Sequence, residues 1–278
     1  MVQTRAACVI GWPAKHSRSP KLHGYWIKHY GIDGDYRVEE VTAEEFPAFI
    51  ANLARLGYVG ANVTMPHKDA ALILSEPDVR ARTIGAANTL WLDHGRLRST
   101  NTDVEGFVGA LHAGAPGWNE STESAVVLGA GGAARAVVHG LIECSVKTIH
   151  VVNRTYEKAV SFRERFGPSV YPSRWDDLPS LLAGAKLLVN ATSLGMKGQP
   201  EVSIELGMLA YNAIVSDVVY VPLKTNLLAQ AERHGLRTSN GLDMLLHQAV
   251  CGFELWFGVR PEVTPELFAL IAADIAKG

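Results

Sequence analysis

The chain has 278 residues, slightly under two domains at about 150 residues each, and is long enough to bury a sizeable core without disulfides or metals. Apolar residues make up 47%, charged residues 19%, and the mean hydropathy is +0.07, which excludes a disordered chain too polar to offset the entropy of ordering. Lys and Arg number 26 against 28 Asp and Glu, a formal net charge of −2, so no basic surface is expected to track a phosphate backbone and nucleic acid is not an expected partner.

Ala6–Ile10 reads as a strand. Ser19-Pro20 follows as a helix N-cap with Pro at the first helical position, and Leu22, Tyr25 and Trp26 share one face. Tyr36–Val41 is a second strand, and Glu44–Leu56 a second helix with Phe46, Phe49, Ile50 and Leu53 on its buried stripe. Tyr58–Val63 is a third strand, ending in Thr64-Met65-Pro66. Such strand–helix alternation predicts a parallel or mostly parallel sheet.

A polar, turn-rich stretch from Gly114 to Glu123 separates this block from the next. Ser124–Leu128 is an apolar strand running into Gly129-Ala130-Gly131-Gly132-Ala133-Ala134, with a helix to about Glu143 and a strand at Thr148–Val152. Leu187–Asn190 and Ile214–Val219 are further buried strands, and Pro261-Glu262-Val263-Thr264-Pro265 precedes a final amphipathic helix to Lys277. The pattern predicts two α/β domains, the second of dinucleotide-binding size.

Cys8, Cys144 and Cys251 are odd in number, far apart and form no CxxC pair, which fits a reducing compartment. The apolar run before Lys15 is too brief for a signal peptide, and no stretch of about 18 apolar residues is present to span a bilayer. A cytoplasmic location without membrane association is expected. Asn-x-Ser/Thr sequons at Asn62, Asn119, Asn153 and Asn190 therefore need another explanation.

Gly129-x-Gly131-x-x-Ala134 is the Gly-x-Gly-x-x-Gly/Ala pattern, placed between a strand and a helix. Gly129 suits the tight turn, Gly131 lets backbone approach a pyrophosphate, and Ala134 allows close helix–strand packing. At the end of the next strand an NAD site places an acid for the ribose 2′-OH. This chain has Asn153-Arg154-Thr155 instead, with Lys158 four residues past Arg154, on the same face if that segment is helical. Two cations and no acid suit a 2′-phosphate, so NADP(H) is the expected cofactor.

In the first block Asn62 and Thr64 point the same way on a strand, and Pro66 stiffens the turn that presents Lys68. Taken alone, a lysine near a strand end such as Lys68 is usually just a surface lysine. Asn88, Asn101 and Asp103 form a second polar set, in which Asp103 is alternatively an N-cap for the helix from Val104.

Together these segments resemble the shikimate dehydrogenase family over nearly the whole chain. The resemblance rests on His16-Ser17-Arg18-Ser19-Pro20, Asn62-Val63-Thr64-Met65-Pro66-His67-Lys68, Gly85-Ala86-Ala87-Asn88-Thr89 and Asn101-Thr102-Asp103. It continues through Gly129–Arg135, Asn153-Arg154-Thr155, Asn190-Ala191-Thr192-Ser193, Asp217-Val218-Val219-Tyr220, Asn240-Gly241-Leu242 and Met244-Leu245-Leu246-His247-Gln248. It implies an α/β fold of two domains with a cleft between them. Residues 1–102 plus 242–278 would form the substrate domain, with a mostly parallel sheet, and 103–241 a Rossmann-like NADP-binding domain.

By the resemblance, Lys68 and Asp103 would be the catalytic pair. Ser17, Ser19, Asn62, Thr64, Asn88, Tyr220 and Gln248 would hold the hydroxyls and carboxylate of a small cyclic acid. Gly129, Ala130, Gly131, Gly132, Ala133, Asn153, Arg154, Thr155, Lys158, Val218 and Gly241 would line the cofactor groove. The implied reaction is NADPH reduction of 3-dehydroshikimate to shikimate, in aromatic amino-acid biosynthesis, by a monomer or homodimer. Two of the sequons, at Asn62 and Asn153, would then belong to the site.

The residue types suit that chemistry. Hydride reaching a ketone carbon leaves a developing alkoxide that needs a proton and a positive partner, and Lys68 supplies either as general acid or as electrostatic stabiliser. Quinate, or quinate and shikimate together, is the first alternative substrate. Relatives favouring quinate and NAD tend to alter the second serine of Ser-x-Ser and the Asn-Arg-Thr segment, both intact here. An aminoshikimate-type substrate and a catalytically silent NADP-binding sensor are further alternatives, the sensor disfavoured by the presence of both Lys68 and Asp103. Two positions depart from the family pattern: His67, where an aromatic is frequent, and Asp243, where a small residue is common and an acid in a helix's first turn is favoured anyway. The ten histidines show no metal-ligand spacing, and His16, His23, His29 and His247 read as packing or surface residues.

Overall fold

The apolar runs and amphipathic stretches between them build two six-stranded sheets in a computed structural model that describes residues 5–277. The chain divides into two units: residues up to Thr102 with Gln248–Ile271, and Asp103–His247 with the residues from Ala272. The domain limits expected at residues 1 and 278 lie outside the described residues.

The first unit holds β1 (Arg5–Gly11), α1 (Ser19–His29), β2 (Gly34–Glu40), α2 (Phe46–Ala51), β3 (Tyr58–Val63), α3 (Lys68–Ile73), β4 (Glu76–Pro77), α4 (Val79–Ile84), β5 (Thr89–Asp93) and β6 (Arg96–Thr100). Its strand order is β2-β1-β3-β5-β6-β4. The central β1 runs parallel to β2 and β3 and is buried on both faces: Ala6, Cys8 and Ile10 pack with Phe46, Leu53 and Leu90, while Ala7 and Val9 are buried opposite.

β5 pairs antiparallel with β3 and β6, whereas β4 runs parallel to β6. The β5–β6 hairpin is absent from the sequence expectation. Its turn places His94 and Gly95 at φ of 48° and 80°, the backbone that joins two twisted strands most tightly.

Two helix boundaries also differ. Ser19 is the first helical residue of α1 rather than its cap. The cap position falls to Arg18, without a side-chain capping bond, and Ser17 Oγ instead accepts from Ser19 N at 3.2 Å. The second helix covers only Phe46–Ala51, because the chain then tightens into turns in which Leu53 N donates to the Ile50 carbonyl at 3.2 Å.

The second unit begins with α5 (Asp103–Gly114), β7 (Ser124–Leu128), α6 (Gly132–Glu143), β8 (Thr148–Val152), α7 (Tyr156–Phe166) and β9 (Val170–Ser173). It continues with α8 (Leu178–Leu182), β10 (Leu187–Asn190), β11 (Ile214–Asp217), α9 (Asn226–Arg233) and β12 (Arg237–Ser239). The closing helices α10 (Gly241–Phe257) and α11 (Pro265–Ile275) contribute to both units.

All pairings in the second sheet are parallel, in the order β12-β11-β10-β7-β8-β9. Ala125 and Val127 of β7 face Phe107, Val137, Leu141 and Phe162, while Val126 and Leu128 face Leu178, Leu182, Leu227 and Leu228. Helices thus cover both faces of a doubly wound sheet, and the winding reverses between β7 and β10. Ligands of such sheets bind at the carboxyl ends of the strands flanking that reversal. Among the described residues no helix is long and apolar enough to cross a membrane.

Candidate active site

The glycine-rich turn leaves β7 at the reversal point. Gly129 is buried with φ of +101°, and a Cβ there would lie 2.8 Å from Thr192 Cγ2 and 3.1 Å from the Ala191 carbonyl oxygen. Gly131 and Gly132 have nothing within 4 Å of where a Cβ would stand. The first glycine is thus demanded by the protein itself. The other two leave space against the N-terminus of α6, which Gly131 caps. Backbone N–H groups at a bare helix start favour an anion. Ala130 and Ala133 flank this space half-buried, and Ala134 packs fully buried into the helix–sheet core.

Across the reversal, the ends of β10 and β11 are tied by one buried carboxylate. Asp217 is 1% exposed, and its Oδ1 accepts from Asn190 Nδ2 at 2.9 Å and Val219 N at 3.0 Å, its Oδ2 from Thr225 Oγ1 at 2.7 Å. Burial raises its pKa to about 6, against the opposing pull of these three donors. The Val219 bond also ends the strand at Asp217, two residues short of the sequence expectation. Asn190 Oδ1 in turn accepts from Thr192 Oγ1 at 2.6 Å, fixing the threonine that stands over Gly129. On the far side of β11, a Cβ on Gly241 would meet the Val218 carbonyl oxygen at 2.4 Å, so Gly241 and Val218 are brought together by close backbone approach.

The end of β8 carries the expected cation pair. Asn153 Nδ2 donates to the Thr155 carbonyl at 2.9 Å, folding the chain between strand and α7. The helix starts only at Tyr156 with Thr155 at the cap, so Arg154 precedes it and does not share a helical face with Lys158. Both cations are exposed, and neither is in an ion pair among the described residues. Lys158 lines a groove of about 620 Å³ that reaches Gly131, Gly132 and Arg135. Exposed cations after β8, with no acid in the Asn153-Arg154-Thr155 segment that follows the strand, fit a phosphorylated ribose better than a free one.

In the first unit the expected polar residues gather where β1, β3 and β5 meet. Val63 N donates to the Asn88 carbonyl at 2.8 Å and Thr64 N to the Ile10 carbonyl at 2.9 Å. Asn62 Nδ2 reaches the Asn88 carbonyl at 3.4 Å. Asn88 Oδ1 is held by Thr102 N at 2.8 Å and by Thr89 Oγ1 at 3.1 Å. Lys68 is half-buried at the start of α3, and its carbonyl accepts from Ala87 N at 3.0 Å, which ties it to the Asn88 segment. Ser17 and Ser19 adjoin through the bond that opens α1. Gln248 belongs to this unit by its place on α10. Asp103, the first residue of α5, and Tyr220, three residues past β11, belong to the second.

His67 does what an aromatic would. It is buried, stacks on Phe46 at 4.3 Å and 3°, and its Nε2 lies 2.7 Å from the Val41 carbonyl oxygen. Asp243 pairs with Asn240, whose Nδ2 donates to Asp243 Oδ2 at 2.8 Å while Asn240 Oδ1 accepts from Asp243 N at 2.9 Å, a helix-start arrangement. His23 is fully buried between rings, as a packing residue; burial lowers its pKa to about 3, against a smaller upward pull from Asn62. Asp217, Asn190 and Thr192 were visible only as motif letters, and Tyr36, which donates to Asn62 Oδ1 at 2.6 Å, carried no sequence signal beyond strand propensity.

A doubly wound parallel sheet with this turn and these cations defines a dinucleotide-binding unit, here joined to an α/β unit carrying amides, hydroxyls and a lysine. Residues 9–90 match the shikimate dehydrogenase substrate binding domain, 115–197 the shikimate / quinate 5-dehydrogenase family, and 241–265 the shikimate 5'-dehydrogenase C-terminal domain. The chain is 58% identical over 276 residues, 99% of each chain, to a shikimate dehydrogenase (NADP(+)) of Rhodopseudomonas palustris strain BisB18. Among solved structures it is similar to quinate dehydrogenase from Corynebacterium glutamicum in complex with NAD, with TM-score 0.89, 29% identity and coverage of 97% of this chain and 99% of that one. It is also similar to shikimate 5-dehydrogenase from Thermus thermophilus in complex with NADP(H) and shikimate, with TM-score 0.85, 34% identity and the same coverage. The chain belongs to the shikimate dehydrogenase family.

Proposed function

We propose that the chain catalyses the reversible NADPH-dependent reduction of 3-dehydroshikimate to shikimate. The observation that carries the reading is the pair of exposed cations that follows β8, Arg154 and Lys158, of which Lys158 lines the groove that reaches the open Gly131–Gly132 turn. In the same chain Lys68 is tied to the Asn62–Asn88 amide cluster.

Bound NADPH supplies the hydride for the ketone carbon. Gly129 makes the tight turn, its own N–H held by the Val152 carbonyl at 2.8 Å, while Ala130, Gly131, Gly132 and Ala133 leave backbone N–H groups for the pyrophosphate; Asn153, Arg154, Thr155 and Lys158 take the 2′-phosphate end, and Val218 and Gly241 form a backbone edge for the rest. Ser17, Ser19, Asn62, Thr64, Asn88, Tyr220 and Gln248 orient the carboxylate and hydroxyls of the cyclic acid. Lys68 and Asp103 are the proposed catalytic residues: the ammonium gives a proton to the forming alkoxide, or stabilises its charge, and the carboxylate favours the charged lysine. Residues 1–102 with 242–278 act as the substrate domain and 103–241 as the cofactor domain, in a cytoplasmic monomer or homodimer.

Quinate is the second reading, favoured by the likeness to a quinate dehydrogenase solved with NAD. Absorbance at the nicotinamide band, with shikimate and quinate each tested against NADP⁺ and NAD⁺, separates the two. Turnover confined to shikimate with NADP⁺ is expected. Equal or faster turnover of quinate with NAD⁺ overturns the reading, and NADP⁺ binding without turnover of either acid points to another cyclic substrate or to a sensor.

A further inference from the structure

Tyr36 on β2 is buried, and its hydroxyl joins two residues proposed for the substrate. It donates to Asn62 Oδ1 at 2.6 Å and shares a second hydrogen bond with Ser19. The other end of the Asn62 amide faces the Asn88 carbonyl at 3.4 Å and Thr89 Oγ1 at 3.3 Å. A carbonyl oxygen only accepts, so that end must be the nitrogen and the end facing Tyr36 the oxygen. Both nitrogen contacts are long, and Nδ2 keeps donor capacity for another partner.

The Tyr36 ring cannot shift freely. It stacks on His23 at 4.1 Å and 14° and leans on Trp256 at 5.9 Å. His23 is wholly buried, and its ring adds shape to this wall beside the Asn62 amide.

We infer that Tyr36 is a positioning residue for the substrate site: by holding Asn62 Oδ1 it anchors the amide in the orientation that the Asn88 carbonyl selects, so that Asn62 offers N–H, and not C=O, to a substrate oxygen. The inference rests on the reading that Asn62 touches the substrate. Without the phenol hydroxyl, Oδ1 loses that donor and the amide is held less firmly, chiefly through its long nitrogen contacts, while the ring packing survives.

A double-mutant cycle tests this with Tyr36→Phe, Asn62→Ala and the pair, reading KM for shikimate and for NADP⁺ and kcat separately. Tyr36→Phe is expected to raise the shikimate KM about tenfold, with the NADP⁺ KM within about twofold, and to have no further effect once Asn62 is alanine. An unchanged shikimate KM in Tyr36→Phe overturns the inference and leaves the role of Asn62 standing. So does an equal rise in both backgrounds, because Tyr36 would then act through something other than Asn62. An unchanged KM in Asn62→Ala alone overturns the reading of Asn62 and the inference with it. If Tyr36→Phe lowers the unfolding midpoint, 4-fluorophenylalanine at position 36 fills the same space without donating and should give the same rise in KM.

Discussion

Thr192 stands over Gly129, so that a Cβ on the glycine would lie 2.8 Å from the threonine Cγ2. The threonine cannot simply swing aside: its hydroxyl donates to Asn190 Oδ1 at 2.6 Å, and Asn190 is held by Asp217. With φ of +101° at Gly129 as well, the turn is closed to any side chain. Gly131, two residues on, has open space instead.

These glycines should therefore fail in different ways. Gly129→Ala is expected to lower folding stability by about 1–3 kcal/mol, from backbone strain and the forced shift of Thr192. Gly131→Ala should leave the unfolding midpoint near that of the parent while weakening NADPH binding, because its Cβ fills space proposed for the pyrophosphate. Urea unfolding and a fluorescence titration with NADPH, run on both variants, check this. A stability loss in Gly131→Ala matching that of Gly129→Ala would contradict it.

Arg154 precedes α7 and is exposed. Losing one charge-assisted hydrogen bond to a phosphate costs about 1.5–3 kcal/mol, so Arg154→Ala should narrow the kcat/KM preference for NADP⁺ over NAD⁺ by roughly one to two decades, through NADP⁺ alone. The measurement is the ratio of the two specificity constants. A ratio that does not move removes Arg154 from the 2′-phosphate.

Lys68 is expected to act on the transition state. Lys68→Met should lower kcat by about 10²–10⁴-fold, the range of a single general acid, while the KM for shikimate changes far less. Steady-state kinetics at saturating NADP⁺ decide it. A kcat close to the parent value rules Lys68 out of the chemistry.

His23 sets an acid limit on stability. Its pKa is about 3 in the fold against 6.5 as an ordinary histidine. Between those values the unfolded chain binds the extra proton, so this contribution is present above about 6.5 and lost as the pH falls toward 3. The slope is at most about 1.4 kcal/mol per pH unit for one proton. His23→Phe keeps a ring against Tyr36 and should flatten that decline. Urea midpoints at pH 7 and pH 4.5 for parent and variant test it, and an identical drop in both would show that other groups carry the acid sensitivity.

Local pattern made much of this protein legible. The apolar runs at Ser124–Leu128 and Leu187–Asn190 became strands with those bounds, and the glycine turn and the missing acid after β8 pointed to NADP before any fold was known. Each rests on residues close in sequence: a strand's burial, a turn's φ and a helix's first N–H groups depend on a handful of neighbours. The boundaries that moved did so for equally local reasons, as where Val219 N turns back to Asp217 Oδ1 and stops β11 early.

The tertiary structure alone decided the hydrogen bonds that give the site its direction. Tyr36 and Asn62 lie 26 residues apart, and Asn190 and Asp217 lie 27 apart, each pair meeting only because long crossovers bring parallel strands into one sheet. No periodicity records which hydroxyl will face which amide across that distance. The sequence by itself determined the family, the turn and the cofactor's charge. Strand registry determined which end of Asn62 is oxygen and which carboxylate holds Thr192 over Gly129, because those choices belong to side chains that become neighbours only once the sheets have formed.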